Sequence, residues 1–298
     1  SNTASNNVGI GHESLKSNTT GTYNVSLGTT ALREVTTGSR NISVGASSME
    51  NNTEGSNNVA IGNGAGLKNT TGTGNIFLGN ETGKANTSGY NNIYSGYQSG
   101  KSSTTGTDNI YVGSNSGSSA TTGSLNVVIG SDAASNFTTT SNIIAIGYNS
   151  GFSCKEVNNI FIGSNAGTFS HFGSNNVIVG SNAGIYNYNG SNNVIMGSNA
   201  GVGTLSLSSE ELANGSNKNN ILIGSNSGAG IITGNQNICI GNNAAACLGT
   251  NSDNIAIGNS ALFNNKDSQT NISIGSYAGY NLNNGSSNIL IGKEVGEG

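Results

Sequence analysis

The chain has 298 residues, 47 of them Gly and 53 Asn, with no Pro, no Trp and 8% charged residues. A formal net charge of −4 with ten Lys and Arg gives no basic footprint for a nucleic-acid backbone. No apolar run approaches the roughly 20 residues that span a bilayer, so membrane insertion is not expected.

Strands are expected in chain order before a recurring Gly that closes each apolar-x-apolar-Gly unit. These anchors are Gly11, Gly28, Gly45, Gly62, Gly79, Gly96, Gly113, Gly130, Gly147, Gly163, Gly180, Gly197, Gly224, Gly241, Gly258, Gly275 and Gly292. Fourteen of the 16 intervals are 17 residues; one is 16 (Gly147 to Gly163) and one is 27 (Gly197 to Gly224). Three residues before every anchor stands Val or Ile, and one before it an aliphatic residue or Met in all copies but Ser95. Alternation is the strand period, and β-branched residues suit a pleated surface. Each copy is therefore read as one short strand with these two side chains inward. Small and Gly residues at fixed phase mark corners.

The predicted fold is all-β: a β-solenoid or β-roll of 17 stacked coils, a single repeat domain over 1–298. At ~4.8 Å per strand that makes a rod of roughly 77 Å. Asn stands four before the anchor in 16 copies, among them Asn24, Asn41, Asn58, Asn75, Asn92, Asn109, Asn159, Asn176 and Asn193, and is expected to stack as an amide ladder. In the exceptional copy Asn142 sits one place early, which reads as a bulge or loop adjustment.

Copies such as TGTGNIFLGNETG and TGTDNIYVGSNSG resemble the Asn-Ile-x-Ile-Gly-x-x-Ala-Gly repeats of fibre proteins of phages and large DNA viruses. They are similar in style to the heads of trimeric autotransporter adhesins, which repeat at a shorter period. The resemblance covers essentially the whole chain. It implies a homotrimeric fibre, extracellular on a virion or cell surface, that adheres to a host-surface or glycan receptor.

The residue two before the anchor is placed on the outside by this reading. Its central members, including Phe77, Tyr94, Tyr111, Val128, Phe161, Ile178, Ile195 and Leu222, form an apolar stripe expected to be the self-assembly interface. The alternatives are a reversed facing, with the stripe in a wider coil interior, and a ligand-binding groove. The long interval is expected to place a loop insertion at 202–219, with a helix capping box at Ser208-Ser209-Glu210-Glu211.

Thr and Ser recur eight and six before the anchor (Thr20/Thr22, Thr37/Ser39, Thr71/Thr73, Thr105/Thr107, Thr122/Ser124), a ladder resembling insect-type ice-binding faces. A solvated turn ladder is the plainer reading. His12 and His171 lie in different coils, and Asp108, Asp132, Asp253 and Asp267 are too scattered to chelate calcium. The Gly runs lack the Lys of a phosphate loop. No catalytic residue, metal or cofactor is assigned. Three Cys are too few for a disulfide framework, and Cys239 and Cys247 are read as free thiols. Loop sequons, exemplified by Asn18, Asn69, Asn136 and Asn189, are expected to accept glycans where the machinery exists. The first residues, SNTASNNVGIG, already lie in the repeat and carry no secretion signal, so the start is expected to be processed or trimmed. Both ends fall mid-pattern, which suggests a segment of a longer fibre or a subunit stacking end to end. The sequence thus points to a structural fibre subunit, with an ice-binding solenoid and a fibre whose catalytic domain lies elsewhere in a longer chain as the rivals.

Overall fold

A computed structural model describes residues 3–203, 217–266 and 268–296. The chain is a parallel β-solenoid with a 17-residue period, in two compact units, Ser1–Ile143 and Ile144–Gly298. The first unit holds strands β1 (Val8–Ile10), β2 (Val25–Leu27), β3 (Ile42–Val44), β4 (Val59–Ile61), β5 (Ile76–Leu78), β6 (Ile93–Ser95), β7 (Ile110–Val112) and β8 (Val127–Ile129). The second holds β9 (Ile144–Ile146), β10 (Ile160–Ile162), β11 (Val177–Val179), β12 (Val194–Met196), β13 (Ile221–Ile223), β14 (Ile238–Ile240), β15 (Ile255–Ile257), β16 (Ile272–Ile274) and β17 (Ile289–Ile291).

Within each unit every strand contributes three residues and pairs in parallel with the strand of the next coil, like on like, as in Val59↔Ile76 and Phe77↔Tyr94. Both irregular intervals keep this register: Ile144 pairs with Ile160, and Val194 with Ile221. The long interval is accommodated outside the strands. The expected helical turn at 208–211 lies outside the described residues.

Three places in the coil turn left-handed. Five before the anchor stand Asn57, Asn91, Asn158 and their equivalents, two after it Asn115, Asn149 and Asn182, and four after it Gly or an apolar residue, all with φ near +55°. Asn tolerates this region better than other side chains. The Asn content therefore has two causes, ladder and corner, of which sequence reading found the first. Asn142, with φ 59°, is an ordinary corner residue and not a displaced ladder amide. Ile143 holds the ladder position, and its N–H still donates to Asn126 Oδ1 at 2.9 Å. The missing residue of the short interval is taken from the following corner, where Asn159 Nδ2 donates to Glu156 O at 3.0 Å.

Apart from its half-buried end members Asn7 and Asn288, the Asn ladder is buried and hydrogen-bonded to neighbouring coils. The Asn41 backbone N–H and Nδ2 both donate to Asn24 Oδ1, at 3.0 and 3.1 Å, and Nδ2 also donates to Gly55 O at 2.8 Å. Asn58 repeats the pattern on Asn41. In the second unit Asn220 donates to Asn193 Oδ1 at 2.9 Å across the long interval. A second ladder runs through Asn52, Asn69 and Asn86, with Nδ2 to Oδ1 distances of 2.9 and 2.6 Å. Asn18 and Asn69 are therefore buried, and these two sequons do not present an accessible amide.

The facing of the strand is the reverse of the first expectation. Phe77, Tyr94, Tyr111, Val128, Phe161, Ile178, Ile195 and Leu222 are all 0% exposed inside their coils, so they form the core and not a subunit interface. The left-handed corners fold the rest of each coil over this central column. The flanking Val, Ile and Leu point outward instead.

Core volume is balanced between the central column and the residue four after the anchor. Where the centre is small (Ser26, Ser43, Ala60), the corner of the preceding coil carries Leu15, Leu32 or Met49. Where the centre is Phe77, Tyr94 or Tyr111, the preceding corner is Gly66, Gly83 or Gly100 and the coil's own corner is Gly83, Gly100 or Gly117. A Cβ on Gly66 would stand 2.6 Å from the Phe77 ring, and one on Gly117 2.9 Å from Tyr111. The large rings then pack on one another. Tyr94 and Tyr111 stack at 4.7 Å, and Tyr111 meets Phe137 edge-on at 6.1 Å.

Two substitutions separate these contributions. Asn75→Ala removes the bond to Gly89 O and leaves the Asn92 N–H without its acceptor, so a loss of about 3 kcal/mol is expected in urea unfolding. Phe77→Ala opens a cavity that Gly66 and Gly83 cannot fill, with an expected cost of about 3–5 kcal/mol in the same assay.

Candidate functional site

The outer surface of the strands is the most unusual surface of the molecule. On either side of the buried central column run two columns of Val, Ile and Leu, interrupted by Ser95 and Met196. Leu27 is 46% exposed, Ile61 45% and Ile129 38%, and Ile162 and Ile223 repeat the pattern in the second unit. A solvated sheet face is normally polar. No charged residue occurs in either column.

A single outward side chain of this kind presents on the order of 40 Å² of apolar area, taking ~100 Å² for a whole one. The face of either unit then presents roughly 600 Å², the upper end of the largest patch on a typical monomer. Sequence reasoning missed this face because both faces of the strand are apolar.

The hydroxyl columns lie at another corner, flanking a buried Gly. The Ser or Thr six before the anchor is used internally: Ser39 Oγ accepts the Thr22 N–H, and Ser56 Oγ accepts the Ser39 N–H, both at 3.0 Å. One residue upstream of the Thr20, Thr37 and Thr71 column, a further Thr series donates to the next coil's carbonyl, as Thr36 does to Thr53 O at 3.1 Å. Thr20, Thr37, Thr71, Thr105 and Thr122 remain exposed as one column.

In the second unit the Thr series gives way to rings. His171 stacks on Tyr188 at 4.6 Å, Phe172 meets Tyr188 edge-on at 5.5 Å, and Phe169 stacks on Tyr186 at 5.4 Å. Lys155 Nζ lies 5.4 Å from the Phe172 ring centre. Burial, aided by Lys155, holds the His171 pKa below the ordinary imidazole value. The signal for this patch was in the sequence, as a change of residue type at a fixed phase.

Charged residues gather at the corner after the anchor. Arg33 pairs with Glu34 and Glu50, each at 2.8 Å. Glu81 receives Lys84, Lys101 at 3.1 Å and Gln98 at 2.8 Å. These donors lower its pKa to about 2. Among the described residues no three His, Cys, Asp or Glu come together as a metal-binding group. His12 and His171 belong to different units. Cys154, Cys239 and Cys247 are free thiols, and burial raises Cys154 to about 12 and Cys239 still further above the ordinary thiol range. No helix among the described residues is long and apolar enough to cross a membrane.

Comparison with protein-family models, with curated proteins and with solved structures found no match to this chain.

The Glu81 cluster gives a pH signature. A carboxylate whose folded pKa is depressed contributes stability above its unfolded pKa, and loses it as pH falls through the folded value. The window here runs from about 4.5 down to about 2. Glu81→Gln is expected to flatten the acid limb of the stability curve within that window, modestly because the carboxylate is a quarter exposed. Urea midpoints at pH 7, 4 and 2.5 measure it.

Proposed function

We propose that the chain is a structural fibre or filament subunit, a rigid scaffold for surface display and adhesion without catalysis of its own. The observation that carries this reading is the pair of outward apolar columns. Their occupant is a second copy of this chain. A stable interface buries about 800 Å² per partner, within reach of the area each unit presents. The columns repeat at the strand spacing of ~4.8 Å, and a second copy carries the same spacing, so ridges on one face meet grooves on the other at every coil. A homotrimer is the closed arrangement proposed, with end-to-end filament growth as the open one.

Location on a virion or cell surface and adhesion to a host or glycan receptor belong to the same proposal. They rest on the resemblance of the Asn-Ile-x-Ile-Gly copies to viral fibre repeats. Repeated coils suit weak binding per site summed over many copies. The hydroxyl column supports the ice-binding reading less, because two of its three Thr/Ser series already bond the backbone of a neighbouring coil.

Light scattering with electron micrographs of the same sample is expected to give a multiple of the chain mass. Leu78→Asp with Ile110→Asp, both on the outward face, should reduce the particle to one chain while the circular dichroism stays unchanged. A wild-type monomer, or an oligomer indifferent to these changes, overturns the assembly. Ile178→Asp with Leu222→Asp, by contrast, should unfold the second unit, since both side chains are core. Thermal hysteresis lost on Thr71→Tyr would favour ice binding.

A further inference from the structure

The repeat carries its own control experiment for surface residues. At the phase of Lys155, His171 and Tyr188, the eight preceding coils all place Thr: Thr19, Thr36, Thr53, Thr70, Thr87, Thr104, Thr121 and Thr138. At the phase of Phe169 and Tyr186, the preceding coils place residues such as Ser17, Asn51 and Ser102. Coil closure therefore proceeds without rings at these positions. Phe169 and His171 flank the buried Ser170, and Tyr186 and Tyr188 flank the buried Asn187, so the rings point outward on both sides of a buried column. Phe172 is 50% exposed. Large aromatic side chains partly exposed to water, at a phase where the eight preceding coils place Thr, mark a surface for a partner.

The chemistry of the patch narrows that partner. Ring faces carry negative charge density and attract the weakly positive C–H groups on one face of a sugar ring. His171 adds a further ring face, and its burial disfavours the charged form. Lys155 makes no ion pair among the described residues and sits beside the Phe172 ring, so it offers one positive charge at the edge of the platform. We propose that Lys155, Phe169, His171, Phe172, Tyr186 and Tyr188 form a glycan-binding platform for an acidic pyranose, stacked on the rings with its carboxylate on Lys155. This deepens the adhesive part of the reading above, and it does not depend on the oligomer.

The test is saturation-transfer NMR on the full chain with three probes, the methyl glycosides of glucuronic acid, of sialic acid and of glucose. Transfer to an acidic glycoside, at least tenfold tighter than to the glucoside, is expected, and the two acidic probes tell a uronate from a sialate. Phe172→Ala and Tyr188→Ala should each weaken binding tenfold or more, with the melting curve confirming the fold. Lys155→Gln should bring the acidic sugar down to the affinity of the neutral one. No transfer to either acidic probe, equal affinity for the glucoside, or binding indifferent to Phe172→Ala overturns the proposal. Light scattering on the same samples reads assembly separately, so failure of the platform and failure of the fibre reading are distinguishable.

Discussion

The coil-to-coil amide ladder is the constraint on which the rest of the molecule depends. A short strand has few backbone bonds with which to fix its register. The Asn four before the anchor adds three more to its neighbours, all inside the coil where a missing partner would be costly. Its acceptor oxygen takes the next coil's backbone N–H, so each Asn fixes the height and the phase of the coil beside it. With the phase fixed, identical residues fall into columns, and each column can specialise.

The corners complete what the ladder begins. Anchor glycines lie so close to the next coil's backbone that a Cβ on Gly45 would stand 2.5 Å from Gly62 O. Left-handed Asn residues bend the chain where most side chains would resist. The interior that results is narrow, and it is filled by exchanging volume between two columns: Leu32 and Met49 beside small centres, Gly66 and Gly83 beside Phe77. A left-handed Leu or Met is an unfavourable conformation that the filled core offsets.

Surface roles then follow from which columns are released from structural work. The hydroxyls six before the anchor are engaged with a neighbouring backbone, whereas the outward Val and Ile and the rings near Tyr188 are not needed to close any coil. The proposed assembly and recognition rest on those residues.

The period, the strand positions, the in-register stacking and the Asn ladder are legible in the residue order alone. Each of these is a translation along the chain, and translation is what a repeat records. Residue order did not determine which side of the strand is interior. Alternation defines two faces, and here both are apolar, so hydrophobicity cannot choose between them. That choice belongs to the direction in which the corners close, set by backbone angles at Asn57, Asn115 and Gly83 that no residue type dictates alone. One trace of it was legible: the Val and Ile of the outward columns hardly vary in size, while the central column runs from Ser26 to Tyr94 in step with its corner partner. Residues sharing a closed volume must compensate one another, and residues facing outward need not. Only the closed coil shows which columns share that volume.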